Sequence, residues 1–246
     1  MFDYFFSREI NMFCTLIITR YPKYRSLLGF ISMALFRLPL YFSKQIKFFK
    51  LMGSGKNGSF DIHPDLNQWA LLFTAEDANV KAPAFLYRYW KFFDCAITEI
   101  LLKPIEGHGL WDKREVFGKL PRQTDYDGVV AVLTRATIRL NRLNHFWKNV
   151  NGVASKMNDA KGLMISYGIG DVPWIKQATF TIWQNKKSMK DFAYGLQQHK
   201  EVIQKTHSED WYREEMFVRF RVLSVKGLPE NVAAKILILQ PSYEKA

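Results

Sequence analysis

"IKQATFTIWQNKKSMKDFA", residues 175–193, decides the fold. A run rich in β-branched and aromatic side chains gives way to a polar turn and then to the apolar spacing of a helix. A looser version, "NQWALLFTAEDANVKA", occupies residues 67–82. One strand–turn–helix unit written twice points to an internal duplication. A long repeat constrains a fold more than any single motif.

Working outward from these two units gives the rest of the chain. Strands are expected at 12–20, 45–55, 67–75 and 94–104, with helices at 23–38 and 76–90, the second interrupted near Pro83. The same βαββαβ order returns with strands at 128–138, 162–170, 175–183 and 214–225 and helices at 141–157 and 185–205. Gly53 and Gly55 align with Gly168 and Gly170 at an offset of 115, Gln68 with Gln177 at 109, and Trp90 with Trp211 at 121. The chain therefore divides into two halves, residues 1–122 and residues 123–246 with a C-terminal tail. Each is a ferredoxin-like unit: a four-stranded antiparallel sheet with both helices on one face. The bare face of one sheet can cover that of the other. The fold class is α+β, with tandem ferredoxin-like repeats closing an intrachain α+β barrel and helices outside. In the 175–183 strand, Ala178, Phe180 and Ile182 share one face, and Gln177, Thr179, Thr181 and Trp183 share the other. The mixed face fits a barrel interior or a cavity wall; the alternative is ordinary core on both faces.

With 48% apolar and 24% charged residues, a packed core is expected. The net charge of +12 leaves an anionic membrane surface or an acidic protein as partners. No helix-turn-helix, zinc-finger spacing or RNA-binding aromatic signature is present, so nucleic acid is not a partner. Cys14 and Cys95 lie in apolar runs without a C-x-x-C and read as buried free thiols in a reducing cytoplasm. The start of the chain does not read as a signal peptide. "LLGFISMALF" (27–36) is too short to span a bilayer and reads as a buried core helix, with shallow membrane contact open to the flanking "LPLYF".

No P-loop, G-x-S-x-G, H-E-x-x-H or paired-carboxylate motif occurs. His63 and His108 are expected in loops, His145 within a helix and His207 near a helix end. His199 falls on, or at the edge of, the stripe Met189, Phe192, Leu196, His199, Ile203. A histidine there is either a satisfied interior side chain or a neutral imidazole facing an apolar cavity, as an axial haem ligand must. Arg135 and Arg219 lie mid-strand. They could grip a carboxylate such as a haem propionate, or form internal salt bridges with Glu214, Glu215 or Asp171.

At "LTRATI" (133–138), "GIGDVPWIKQATFTIW" (168–183), Met189 with "DFA", His199 and "WYREEMFVRFRVLS" (211–224), the chain resembles the spheroidene monooxygenase family, carotenoid ketolases of bacterial carotenoid synthesis. The first half fits more weakly, through "FKLMGSG" and "WALL". The resemblance implies a haem-dependent, iron-containing monooxygenase that uses oxygen and electrons from a ferredoxin to place a keto group on an acyclic carotenoid. It also implies membership of the dimeric α+β-barrel superfamily, whose haem-binding relatives use a helix histidine as iron ligand. His199 matches a histidine of the family pattern and is the expected catalytic residue and metal ligand; Arg135, Arg219, Lys176 and Gln177 are the expected cofactor contacts. The pattern often carries histidine immediately before the strand glutamine, where this chain has Lys176. That departure bears on haem binding if the ligand lies there, and alters only the pocket if the ligand is His199. A lipophilic substrate and a ferredoxin are the implied partners, in the cytoplasm or peripherally at the inner membrane. The alternatives are a cofactor-free monooxygenase of the same superfamily and a non-enzymatic protein that binds a lipophilic ligand or haem.

Overall fold

In the computed structural model, residues 12–157, 160–195, 206 and 209–240 are described. Eight strands run β1 (Phe13–Arg20), β2 (Phe48–Gly55), β3 (Pro64–Ala75), β4 (Ala96–Gly109), β5 (Val130–Ile138), β6 (Leu163–Val172), β7 (Lys176–Trp183) and β8 (Tyr212–Lys226). They close a barrel in the order β1-β3-β2-β6-β7-β5-β8-β4, with every neighbouring pair antiparallel. Each half, β4-β1-β3-β2 and β8-β5-β7-β6, is the expected ferredoxin-like sheet. The helices are α1 (Ser26–Leu35), α2 (Arg37–Tyr41), α3 (Ala84–Phe92), α4 (Leu143–Met157), α5 (Lys186–Gly195) and α6 (Glu230–Ile238). The last was not foreseen; a tail was expected there. Among the described residues no helix is long and apolar enough to cross a membrane.

The halves meet along two seams. The β4–β8 ladder runs from Glu99 opposite Lys226 to Gly109 opposite Met216. The β2–β6 ladder has two pairs, Gly53 opposite Gly170 and Ser54 opposite Ile169. The second seam is self-consistent with the glycine offset of 115, which carries Ser54 onto its own partner Ile169. The glutamine offset of 109 is wrong by one. A slip of one residue turns a side chain to the other face. Gln68 follows the inward row of Ala70 and Leu72, whereas Gln177 lies opposite in phase to inward Ala178, Phe180 and Ile182. The offset that keeps faces together is 110, which pairs Trp69 with Thr179.

The inward rows form one buried cluster, including Leu16, Leu72, Ile100, Leu133, Phe180 and Phe220. The lumen is therefore core, not a cavity. The long connection between β4 and β5 lends Trp111, Val116 and Phe117 to it, and α6 adds Ile236. The apolar face of β7 points inward, and the mixed face carrying Gln177, Thr179 and Trp183 points out, toward the helices.

The helix expected at 23–38 is split, and its buried face is not the apolar one. Pro39 has no N–H for the carbonyl of Leu35, and α1 ends there. The inward stripe is Gly29, Ser32, Phe36 and Leu40. A Cβ on Gly29 would stand 2.2 Å from the Trp69 indole nitrogen, so only glycine lets α1 lie this close to the sheet. Phe36 meets Phe85, Tyr89 and Trp90 edge-on at ring separations of 5.1–6.2 Å. The outward stripe, Leu27, Phe30, Leu35, Leu38 and Tyr41, is exposed. The stretch taken for a buried core helix thus turns most of its large side chains to solvent.

Candidate functional site

Two polar constellations sit at the barrel, one inside its rim and one on its outer wall. Near one rim the inward rows of five strands each carry a charge: Lys50 on β2, Arg135 on β5, Asp171 on β6, Lys176 on β7 and Glu214 on β8. Asp112, from the segment after β4, joins them. Its carboxylate accepts from Lys176 Nζ at 2.7 Å, from Arg135 Nη2 at 3.2 Å and from Lys50. Lys50 also meets Asp171 at 3.1 Å. Arg135 donates to Glu214, which takes the backbone N–H groups of Asp112 and Lys113 at 2.9 and 2.8 Å. Asp112 and Lys113 hold positive φ angles of 50° and 64°, the tight turn that presents those amides. Burial alone would raise the Asp112 carboxyl, but bonds from Lys176 and Lys50 hold it at about 2. Burial likewise opposes, and the Lys113 amide and Arg135 reverse, the shift of Glu214, which ends below its ordinary value.

Three cations thus face three anions in a neutral ring that caps the lumen, with Arg135 stacked 5.7 Å from the Trp111 ring. Arg135 is 1% exposed. The internal ion pair is what its position supports, and both Arg135 and Lys176 stand in the rim ring, not on the outer wall.

On the outer wall of the second half, one level row crosses five strands. Gly168 on β6 lies beside Thr179 on β7, Thr179 beside Thr134 on β5, Thr134 beside Phe217 on β8, and Phe217 beside His108 on β4. Thr134 is exposed in the middle of a strand in the middle of a sheet. A loop covers the Gly168 end, where a Cβ would strike the Ser59 carbonyl at 2.2 Å. In that loop Phe60 stacks on Trp147 of α4 at 5.5 Å. On the α5 side, Trp183 meets Phe192 at 5.3 Å. Gln177 lies one step along this wall and donates to the Val172 carbonyl at 3.3 Å.

The duplication supplies a control for this floor. In the first half the corresponding residues are Thr19 and Trp69, and Trp69, buried under Gly29 of α1, fills the place that Thr179 leaves low. The first wall is closed by indole and helix. Among the described residues, the second keeps the small side chains of Thr134 and Thr179 at these places.

Arg219, at the margin of this wall, lies 4.7 Å over the Phe217 ring. It donates to Glu106, which also accepts from Lys186 Nζ at 2.7 Å and from the Thr124 amide and hydroxyl at 2.7 and 2.8 Å. Burial would raise the Glu106 carboxyl, yet these bonds from Lys186, Arg219 and Thr124 bring it to about 2. Arg219 and Gln177 therefore stand on the same outer wall, while Arg135 and Lys176 stand inside.

His199, like His207, lies outside the described residues, past the described end of α5 at Gly195. Among the described histidines, His63 is bound to Asp61 at 2.9 Å, and His145 approaches Glu209 at 3.8 Å. His108, expected in a loop, belongs to β4 and stacks 6.0 Å from Phe217. Burial, then the Arg122 charge, lowers its pKa and favours the neutral ring. Glycines on either side hid its strand from the sequence. Among the described residues no cluster of three or more His, Cys, Asp or Glu side chains could hold a metal ion.

No family model matches the chain. Whole proteins do. It is 32% identical over 234 residues to the spheroidene monooxygenase of Rhodobacter capsulatus, covering 91% of this chain and 96% of that protein. For the spheroidene monooxygenase of Cereibacter sphaeroides the identity is 30% over 220 residues, 87% of this chain and 67% of the relative. For that of Rubrivivax gelatinosus it is 29% over 187 residues, 74% and 71%. Among solved structures, two of aldoxime dehydratase share the fold at a TM-score of 0.61 and 7% identity, over 87% of this chain and 82% and 80% of theirs. The duplicated barrel and the sequence identity agree: the chain belongs to the spheroidene monooxygenase family.

Proposed function

We propose that this chain is a haem-dependent monooxygenase that introduces a keto group into an acyclic carotenoid or a similar lipophilic substrate. The observation that carries the reading is the open floor at Thr134 and Thr179, in a chain whose relatives are spheroidene monooxygenases over most of its length. A planar macrocycle needs a flat bed of small side chains, and the sister wall lacks one because of Trp69. In this reading Thr134, Thr179 and Gln177 would line the bed that holds the group, and His199 would ligate its iron. Bound haem would supply the activation of oxygen, with electrons from a ferredoxin. The chain's own residues do the rest. The threonine hydroxyls offer hydrogen bonds over the floor. Phe217, Trp183 and Phe192 give the margin an aromatic lining that excludes water and suits a polyene. The Glu106–Lys186–Arg219 cluster ties the start of α5 to β4 and β8, fixing the helix beyond which His199 lies.

The test is the absorption spectrum of protein expressed with ample haem, with His199→Ala beside it. A Soret band at about one haem per chain, shifted by the substitution, is the expected result. A colourless protein that still oxidises a carotenoid would replace this reading with cofactor-free catalysis. A band indifferent to His199→Ala would remove His199 as ligand.

A further inference from the structure

The outward stripe of α1 and α2 is the largest feature that the proposed chemistry does not use. Phe30, Leu38 and Tyr41 are 63%, 65% and 76% exposed, and Leu27, Leu35 and Phe42 extend the stripe at helical spacing. Scattered exposed apolar residues need no explanation, but a contiguous stripe over two consecutive helices does. The inward face is committed to Trp69 at Gly29, and Ser32, Phe36 and Leu40 are buried along it, so these helices cannot roll over to bury the stripe.

The charge around the stripe identifies what covers it. From residue 21 to residue 60 the sequence has seven lysines and arginines and no aspartate or glutamate. Arg25 and Lys47 are taken by Asp94 and Glu76 at 2.8 and 3.3 Å. Lys23, Arg37 and Lys44 sit at the start, middle and end of the stripe. An apolar helical face whose own segment carries cations and no carboxylates is the pattern of an interfacial helix on an anionic bilayer: apolar side chains enter the acyl boundary and cations meet lipid phosphates. An open groove of about 470 Å³ adjoins the stripe, running from Leu40 and Tyr41 past Ile46 and Phe48 to Lys50 and Asp112 at the barrel rim.

We infer that α1 and α2 form a membrane-docking surface that seats the barrel on an anionic lipid bilayer. The inference does not depend on the haem or carotenoid reading, and its test uses neither.

The test is co-sedimentation of the full-length protein with vesicles of phosphatidylcholine alone and of phosphatidylcholine with 30% phosphatidylglycerol, at low and high salt. Wild type is expected to bind the anionic vesicles and to lose most binding at high salt. Leu27→Ser, Phe30→Ser, Leu38→Ser and Tyr41→Ser combined should weaken binding by about a hundredfold. Arg37→Glu with Lys44→Glu should weaken it by about tenfold or more. Because these side chains are exposed, the variants keep the fold, which thermal melting checks. Leu237→Ser with Ile238→Ser, equally exposed on α6, should change nothing. Absent binding to anionic vesicles overturns the inference, as does equal binding by wild type and the four-serine variant. A dimer that the four-serine variant dissociates while vesicle binding persists would assign the stripe to a second copy of the chain instead.

Discussion

Replacing Glu106 by glutamine removes one charge from the tightest buried cluster and little else. Shape is kept, and Thr124 can still donate to the side-chain carbonyl. Arg219 and Lys186 lose their shared counter-ion. A carboxyl held at about 2 against an ordinary 4.5 corresponds to roughly 3 kcal/mol of stability at neutral pH. The folded state binds the proton less readily than the unfolded one. This contribution is therefore complete above the unfolded value and is lost as pH falls toward the folded one; less than half remains at pH 3. Leaving two cations near each other without their anion is costly by a similar amount. For a chain of this length the melting temperature of Glu106→Gln should fall by roughly 6–12 °C at pH 7. Urea titrations of both proteins at pH 7 and pH 3 should show the gap between them narrowing as the wild type loses the same charge by protonation. A fall below about 2 °C at neutral pH, or a gap of equal size at both pH values, would refute the assignment of this cluster as a net stabiliser.

Thr179→Trp places on the second wall the residue that closes the first. It should abolish haem absorbance while melting within a few degrees of wild type; retained stoichiometric haem would show that the floor is not the bed. Arg135→Met leaves Glu214 and Asp112 without their buried cation, and stability should drop by about 3–5 kcal/mol in urea titration, with a drop under 1 kcal/mol counting against the rim ring as a closed unit. Gly29→Ala drives a methyl into Trp69 and should cost about 1–3 kcal/mol. Trp69→Leu in the same chain should recover part of that loss, and additive losses would contradict the contact.

The barrel was legible because period-two alternation survives in nearly every strand, and because the unit occurs twice. Residue-level correspondence was less secure. Gln68 and Gln177 matched in identity, yet they face opposite ways, since β-strand register carries its information in parity and not in residue type. The ten-residue apolar stretch 27–36 announced a need for apolar neighbours but not which neighbours. Gly29 and Ser32, small and unremarkable in sequence, decided the buried face because a helix approaches a tryptophan only where it has no bulk. Arg135 could be read as an ion-pair partner of Glu214, while the role of Asp112 was invisible: it arrives from a connecting segment whose path follows the burial of Trp111. The open floor was legible only by comparing halves, where Thr179 stands in for Trp69.

The two seams of the barrel differ fivefold in length, ten pairs between β4 and β8 against two between β2 and β6. A closed wall with one short seam gives way there first. Amide exchange should accordingly begin at Gly53, Ser54 and Gly170, while the long seam stays protected. Opening there would splay the halves about the β4–β8 ladder as about a spine. The rim charges of Lys50 and Asp171, one on each side of the gap, would then work as a clasp across the short seam.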